Sequence, residues 1–269
     1  MKIKLTTLML IVGIVISGSF LFAHEFWLMP SQFRVGINES FNLTFYVGED
    51  FMGELWEKRS DRTLKLSHFS GRKIEDLTPL ALKNDSSDLV LKFGNAGTHL
   101  VTMASKNSFI ALDANKFNEY LKEDGINNIY QLRQAKGELD KPSKERYRRC
   151  VKTLIQVGTK TDKTFKRQTG MPLEIIPLQN PYILKMGDMM TVKVLFNGKP
   201  LADKMIVTWN KTATTKTRQQ KLRTDAHGLM TFSLDQKGQW MVSTVHMIPL
   251  ENDPEANYQS YWANLTFGF

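Results

Sequence analysis

The chain has 269 residues, 42% hydrophobic, 10% aromatic and 23% charged, which excludes disordered and collagen-like classes and suits one large or two modest domains. Lys and Arg number 36 against 27 Asp and Glu, a formal charge of +9 that favours acidic partners without selecting one. The basic residues are scattered apart from Arg146, Arg148 and Arg149, and no zinc-finger, RNP or helix-turn-helix pattern accompanies them, so no nucleic-acid partner is expected.

Lys2 and Lys4 precede an uncharged stretch from Leu5 to Phe22, and Ala23 supplies a small residue before His24-Glu25. This pattern predicts a signal peptide over residues 1–23 and a periplasmic, exported chain; an uncleaved anchor is the alternative, because about 18 apolar residues can just span a bilayer. Phe26-Trp27-Leu28 then read as core anchors. Phe41, Leu43, Phe45 and Val47 alternate with polar residues up to Gly48, the period of a half-buried strand. Leu64 and Leu66, then Leu89, Leu91 and Phe93, then Leu100 to Met103 repeat that pattern with turn residues between them.

After Asp113 the spacing changes. Phe117, Tyr120 and Leu121 recur at helical intervals closed by Gly125, and Ile126, Ile129 and Tyr130 lead a second helix through Arg133 to Lys136, stopped by Gly137 with Pro142 beyond. Tyr147, Val151, Ile155 and Val157 return the chain to one side of an extended segment ending at Gly158. Residues 159–170, rich in Lys, Thr, Asp and Gly with a single Phe165, are too polar for a core position and read as a linker. Thr191 to Phe196, the Asn197-Gly198 turn, Met205 to Trp209, Thr231 to Leu234 and Trp240 to Val245 supply a second set of strands, and Asn210 to Gln220 reads as a solvated hairpin tip. The expected fold is mainly β: two antiparallel β-sandwich domains, residues 24–158 with an inserted helical hairpin and residues 171–269 immunoglobulin-like.

Chemistry is sparse. No P-loop, Rossmann glycine fingerprint, nucleophile elbow or His-Glu-x-x-His helix is present, so the chain is not expected to be an enzyme. The acidic pairs Glu49/Asp50 and Glu123/Asp124 read as solvated side chains rather than glycosidase carboxylates. Cys150 stands alone, so no internal disulfide is possible, and it reads as a buried small hydrophobe. Cleavage after Ala23 would put an α-amine and an imidazole on His24, a nitrogen chelate suited to nickel, cobalt or copper; the plainer reading of the residue alone is that His24 merely begins the first strand. His246, beside Met247 at a strand end, is the candidate second ligand. His227 reads as a turn residue, and His68 and His99 as ordinary strand histidines.

Several stretches carry a family resemblance: Ala23-His24-Glu25-Phe26-Trp27-Leu28, Val47-Gly48-Glu49, Glu145-Arg146-Tyr147, Gly170-Met171-Pro172-Leu173-Glu174, Asn180-Pro181-Tyr182, His246-Met247 and Tyr261-Trp262-Ala263-Asn264. Together they resemble a domain-of-unknown-function family of exported Gram-negative proteins described as NikM-like, that is, similar to periplasmic components of nickel and cobalt uptake. The resemblance implies a metal-binding role at His24 and His246, with a membrane permease as partner. Two other readings stand beside it: a metal-free adhesion or scaffold module, and an oxidative copper enzyme built on the N-terminal histidine.

Overall fold

The computed structural model describes residues 25–49, 51–56, 59–83, 88–213 and 217–269; the expected signal peptide, His24 and Asp50 lie outside these. The strands of the first half are β1 (Glu25–Pro30), β2 (Arg34–Val35), β3 (Ser40–Glu49), β4 (Met52–Leu55), β5 (Thr63–Ser70), β6 (Lys73–Asp76), β7 (Asp88–Lys92), β8 (Gly97–Ser105) and β9 (Ser108–Leu112). Short helices α1 (Arg59–Arg62) and α2 (Thr78–Lys83) interrupt them, and α3 (Ala114–Glu123) and α4 (Asn127–Ala135) precede the long strand β10 (Ser143–Val157). The second half contributes β11 (Leu173–Pro177), β12 (Met189–Phe196), β13 (Lys199–Pro200), β14 (Met205–Lys211), β15 (Arg218–Arg223), β16 (Leu229–Ser233), β17 (Gln239–Pro249) and β18 (Tyr258–Gly268).

Among the described residues these strands form three sheets stacked as layers. The middle sheet has ten strands, running β15-β14-β17-β18-β10-β8-β5-β6 with β2 and β9 attached to β10. One outer layer is the sheet of β1, β3, β4 and β7 together with the α3–α4 hairpin; the other is the sheet of β11, β12, β13 and β16. The fold is thus mainly β with sandwiched, largely antiparallel sheets, as the alternation and turn spacing predict. Parallel pairing occurs where β10 meets β18, from Glu145↔Tyr258 to Thr153↔Thr266, and where it meets β2. Through the β10–β18 ladder, strands from residues 24–158 and 171–269 share one sheet.

Burial along β10 follows from its central place. Val151, Ile155 and Val157 face the sheet that begins with β1, while Cys150 and Leu154 face the sheet that begins with β11, so both edges of the side-chain alternation are covered. Leu66 is buried but Leu64 is exposed, because a bulge between Thr63 and Lys65 breaks the period of two. The helical hairpin forms where its spacing places it. Asp113 accepts the Lys116 amide at the start of α3, and Gly125, at φ +61, turns the chain out of it so that the Ile126 amide returns to the Leu121 carbonyl. Phe117, Tyr120, Leu121, Ile126 and Ile129 pack on Val245, Met247, Tyr258 and Trp262 of the middle sheet.

The reading of residues 159–170 as too polar for a core position does not hold for Phe165. Phe165, in the 3-10 turn Thr164–Lys166, is buried against the core shared by both halves, and Thr164 accepts the Gly71 amide at 2.9 Å. A single aromatic suffices to dock a polar segment once Asp162 caps the turn by accepting the Thr164 amide. At the end of the same segment, Glu174 accepts from Thr169 N, Thr169 Oγ1 and Gly170 N at 2.8–2.9 Å, and Lys152 of β10 donates to its Oε2 at 2.5 Å. Burial pushes Glu174 upward, but Lys152 and the Thr169 donors outweigh it and hold the carboxyl below its ordinary range. Burial likewise lowers Lys152, opposed by Glu174.

Removing one partner of a buried ion pair strands the other charge. Glu174→Ala is expected to cost about 3–5 kcal/mol in urea denaturation. Lys152→Met combined with Glu174→Gln, which keeps an acceptor for residues 169 and 170, is expected to recover most of that loss.

Candidate functional site

The first described strand is fixed at both faces. Trp27 is buried between Tyr46 and Phe51, with ring centroids at 5.7 and 5.6 Å, and Gly53 lets the hairpin close on it because a Cβ there would meet the indole at 2.7 Å. Phe26 and Leu28 are buried on the opposite side, and their carbonyls accept from Asn264 Nδ2 and Thr266 Oγ1 of β18. The run Phe26-Trp27-Leu28 therefore anchors the chain immediately after Glu25.

Glu25 itself is half-buried and accepts from Ser243 Oγ at 2.8 Å, and that hydroxyl accepts from Trp209 Nε1 at 3.0 Å. Burial pushes Glu25 up to about 7, the Ser243 hydrogen bond working against it and Asp124 adding to the rise. Asp124, at the end of α3, is also raised by burial to about 7 against the pull of Lys221 and Lys204. Lys204 is buried, donates to the Gly125 carbonyl at 3.1 Å, and is lowered by burial to about 8. Glu145 of β10 is fully buried, accepts from Tyr120 Oη at 3.2 Å and from Ser260 Oγ, and is raised by burial to about 7 with Asp124 contributing. Asp124 thus adds to the raised proton affinity of both Glu25 and Glu145. Sequence reading missed these carboxyls: Asp124 reads as solvated beside Glu123, and only the tertiary packing of α3 on β17 and β18 covers it.

His246 lies elsewhere. On β17 the odd-numbered Met241, Ser243, Val245 and Met247 face β1 and the helices, whereas Trp240, Val242 and His246 face the opposite outer sheet. The His246 ring meets Phe196 of β12 at 4.4 Å, edge to face, beside Tyr261. Burial lowers it to about 4, with Lys204 adding to the effect. His246 therefore projects from the face of the middle sheet opposite the one on which Glu25 of β1 packs, and His24 lies outside the described residues. His227 is exposed in its turn, where its amide donates to Asp225 Oδ1. Cys150 is buried and its thiol is pushed up by burial to about 11, as suits a packing residue. Among the described residues, no three His, Cys, Asp or Glu side chains are grouped so as to hold a metal ion.

The architecture defines a mainly β protein of three stacked layers with a helical hairpin. The chain belongs to a family described as a domain of unknown function, DUF4198, whose model matches residues 21–248. No curated protein matches it. Among solved structures it is similar to the D0-D1 domain of intimin, with 11% identity over 91% of this chain and 98% of that one and a TM-score of 0.21. It is also similar to the FN1-FN3 domains of chicken CNTN1, with 9% identity over 92% of this chain and 67% of that one and a TM-score of 0.21. A marsupial T cell receptor gives 9% identity over 90% of this chain and 73% of that one, again with a TM-score of 0.21. At such scores none of these likenesses bears on activity.

The carboxyls set a pH dependence. A carboxyl raised from 4.5 to about 7 keeps its proton in the folded state while the unfolded chain has lost it, so stability falls as pH rises through that window. His68 and His246, lowered from 6.5 to about 4, act in the opposite sense: their contribution is lost as pH falls from about 6.5 to 4. Glu145→Gln isolates the first effect. Relative to wild type it is expected to gain up to about 3 kcal/mol between pH 4 and pH 8, measured by urea denaturation at each pH.

Proposed function

We propose that this is an exported transition-metal-binding protein that holds nickel, cobalt or copper at its processed N-terminus and takes part in uptake or handling of that ion. The observation that supports the reading is the pair Glu25 and Asp124: both carboxyls are raised to about 7, chiefly by burial, and Asp124 adds to the rise at Glu25, so the native state would gain from a cation added beside Glu25. His24 precedes Glu25 directly, so chain connectivity alone keeps their Cα atoms about 3.8 Å apart. Cleavage after Ala23 would give that residue a free amine as well as its imidazole. Two nitrogens with neighbouring carboxylate oxygens form a donor set for late first-row divalent ions.

On this reading Glu25 and Asp124, rather than His246, stand beside the His24 chelate, since His246 projects from the other face of the sheet. The ion is cargo: binding is reversible, proton release accompanies it, and a membrane permease receives it. The anchored run Phe26-Trp27-Leu28 limits how far the terminus can move and so preorganises the ligands.

Calorimetric titration with Ni²⁺, Co²⁺ and Cu²⁺ tests the proposal on chains beginning at His24 and on chains carrying one extra N-terminal residue. The extra residue is expected to weaken binding by at least about tenfold, or ~1.4 kcal/mol. Glu25→Gln is expected to weaken it less, and His246→Ala to leave it unchanged. Equal affinities for the two N-termini would end this reading.

A further inference from the structure

His68 of β5 and His99 of β8 form a buried relay. His68 Nε2 lies 2.8 Å from His99 Nδ1, His99 Nε2 lies 2.9 Å from the Asn95 carbonyl oxygen, and His68 Nδ1 lies 3.3 Å from Glu75 Oε2. Both imidazoles stack on Phe93, at 3.9 and 4.7 Å between centroids, and both are buried, whereas Glu75 reaches solvent.

Each of these three contacts requires one hydrogen between its heavy atoms. A carbonyl and a carboxylate bring none, and two neutral imidazoles bring one each. Two hydrogens cannot fill three gaps. If His99 Nε2–H donates to Asn95, then His99 Nδ1 accepts, His68 Nε2–H donates, and His68 Nδ1 is left with its lone pair facing the carboxylate. Reversing both tautomers moves the mismatch to the Asn95 carbonyl, where Ser70 Oγ, 3.5 Å from His99 Nε2, is too far to relieve it.

We propose that the Glu75–His68–His99–Asn95 chain is a binding site for a single proton, loaded on His68 Nδ1 as the medium is acidified, which completes one unbroken run of hydrogen bonds from β6 through β5 and β8 to the turn before β8. Loading turns a lone-pair contact into a charge-assisted hydrogen bond between His68 and Glu75. The groups facing the relay are Lys73 and Glu75 from β6, His99 from β8, and Asp162 from the segment after β10. Burial lowers His68 to about 4, with the Glu75 hydrogen bond opposing that and His99 and Lys73 adding to it. Burial also lowers His99, against the Asn95 contact and Asp162. The carboxyl of Glu75 is held below its ordinary range, chiefly by its hydrogen bond to His68. These opposed influences put loading on the acid side of an ordinary histidine.

Nuclear magnetic resonance titration of the imidazole ¹⁵N and ¹³C shifts in the full chain tests this. His68 is expected to take up its proton at Nδ1 in one step below the midpoint of a free histidine, while His99 stays a neutral Nε2–H tautomer through that step. Glu75→Gln places an amide N–H in the third gap, so the relay is complete without the extra proton; the His68 midpoint is expected to fall by at least about one pH unit, a tenfold loss of proton affinity. Independent titration of His68 and His99 near 6.5, or an unmoved His68 midpoint in Glu75→Gln, would overturn the proposal.

Discussion

The parallel ladder between β10 and β18 is the constraint on which the rest of the molecule depends. It pairs Glu145 through Thr153 with Tyr258 through Thr266, residues more than a hundred positions apart, and through it strands from both halves become one sheet. A parallel neighbour cannot be reached by a tight hairpin, so the intervening chain must travel, and here it builds the β11–β13 layer before returning. Each outer layer then covers one face of the joined sheet. The Lys152–Glu174 pair and the docked Phe165 lie where the crossing chain leaves β10 for that layer.

Much of this was legible in local sequence, because local physics decides it. Phe41, Leu43 and Phe45 alternate and are buried as a set, and Phe117, Tyr120 and Leu121 lie on the covered face of a helix that Gly125 ends. The rest depended on information that no window contains. Val151, Ile155 and Val157 reveal one covered face of β10, but the burial of Cys150 and Leu154 on the other requires the second half of the chain. Leu64 alternates correctly with Leu66 and is still exposed, since one bulged residue resets the count. The candidate site was the least legible part. Glu25 opens β1 and Asp124 follows α3, and His68 and His99 are separated by 31 positions yet share a hydrogen bond.

The electrostatics divide by the kind of group that is buried. Glu25, Asp124 and Glu145 have raised proton affinity, whereas His68, His99 and His246 have a lowered one, and Lys204 acts on both Asp124 and His246. The desolvation that holds a carboxyl neutral also disfavours a charged imidazole, so one physical cause produces opposite pH slopes at the two kinds of group.

Because β10 is covered on both faces, its register acts as a reading frame for the whole molecule. An inserted residue within it would turn Lys152 toward the aromatic layer around Phe26 and Phe45, and Val151 toward Glu174, so both cores would be mismatched at once. A surface strand such as β15, whose side chains are mostly solvated, has no comparable frame to lose. Length changes in descendants of this chain should therefore collect at its rim and spare its centre.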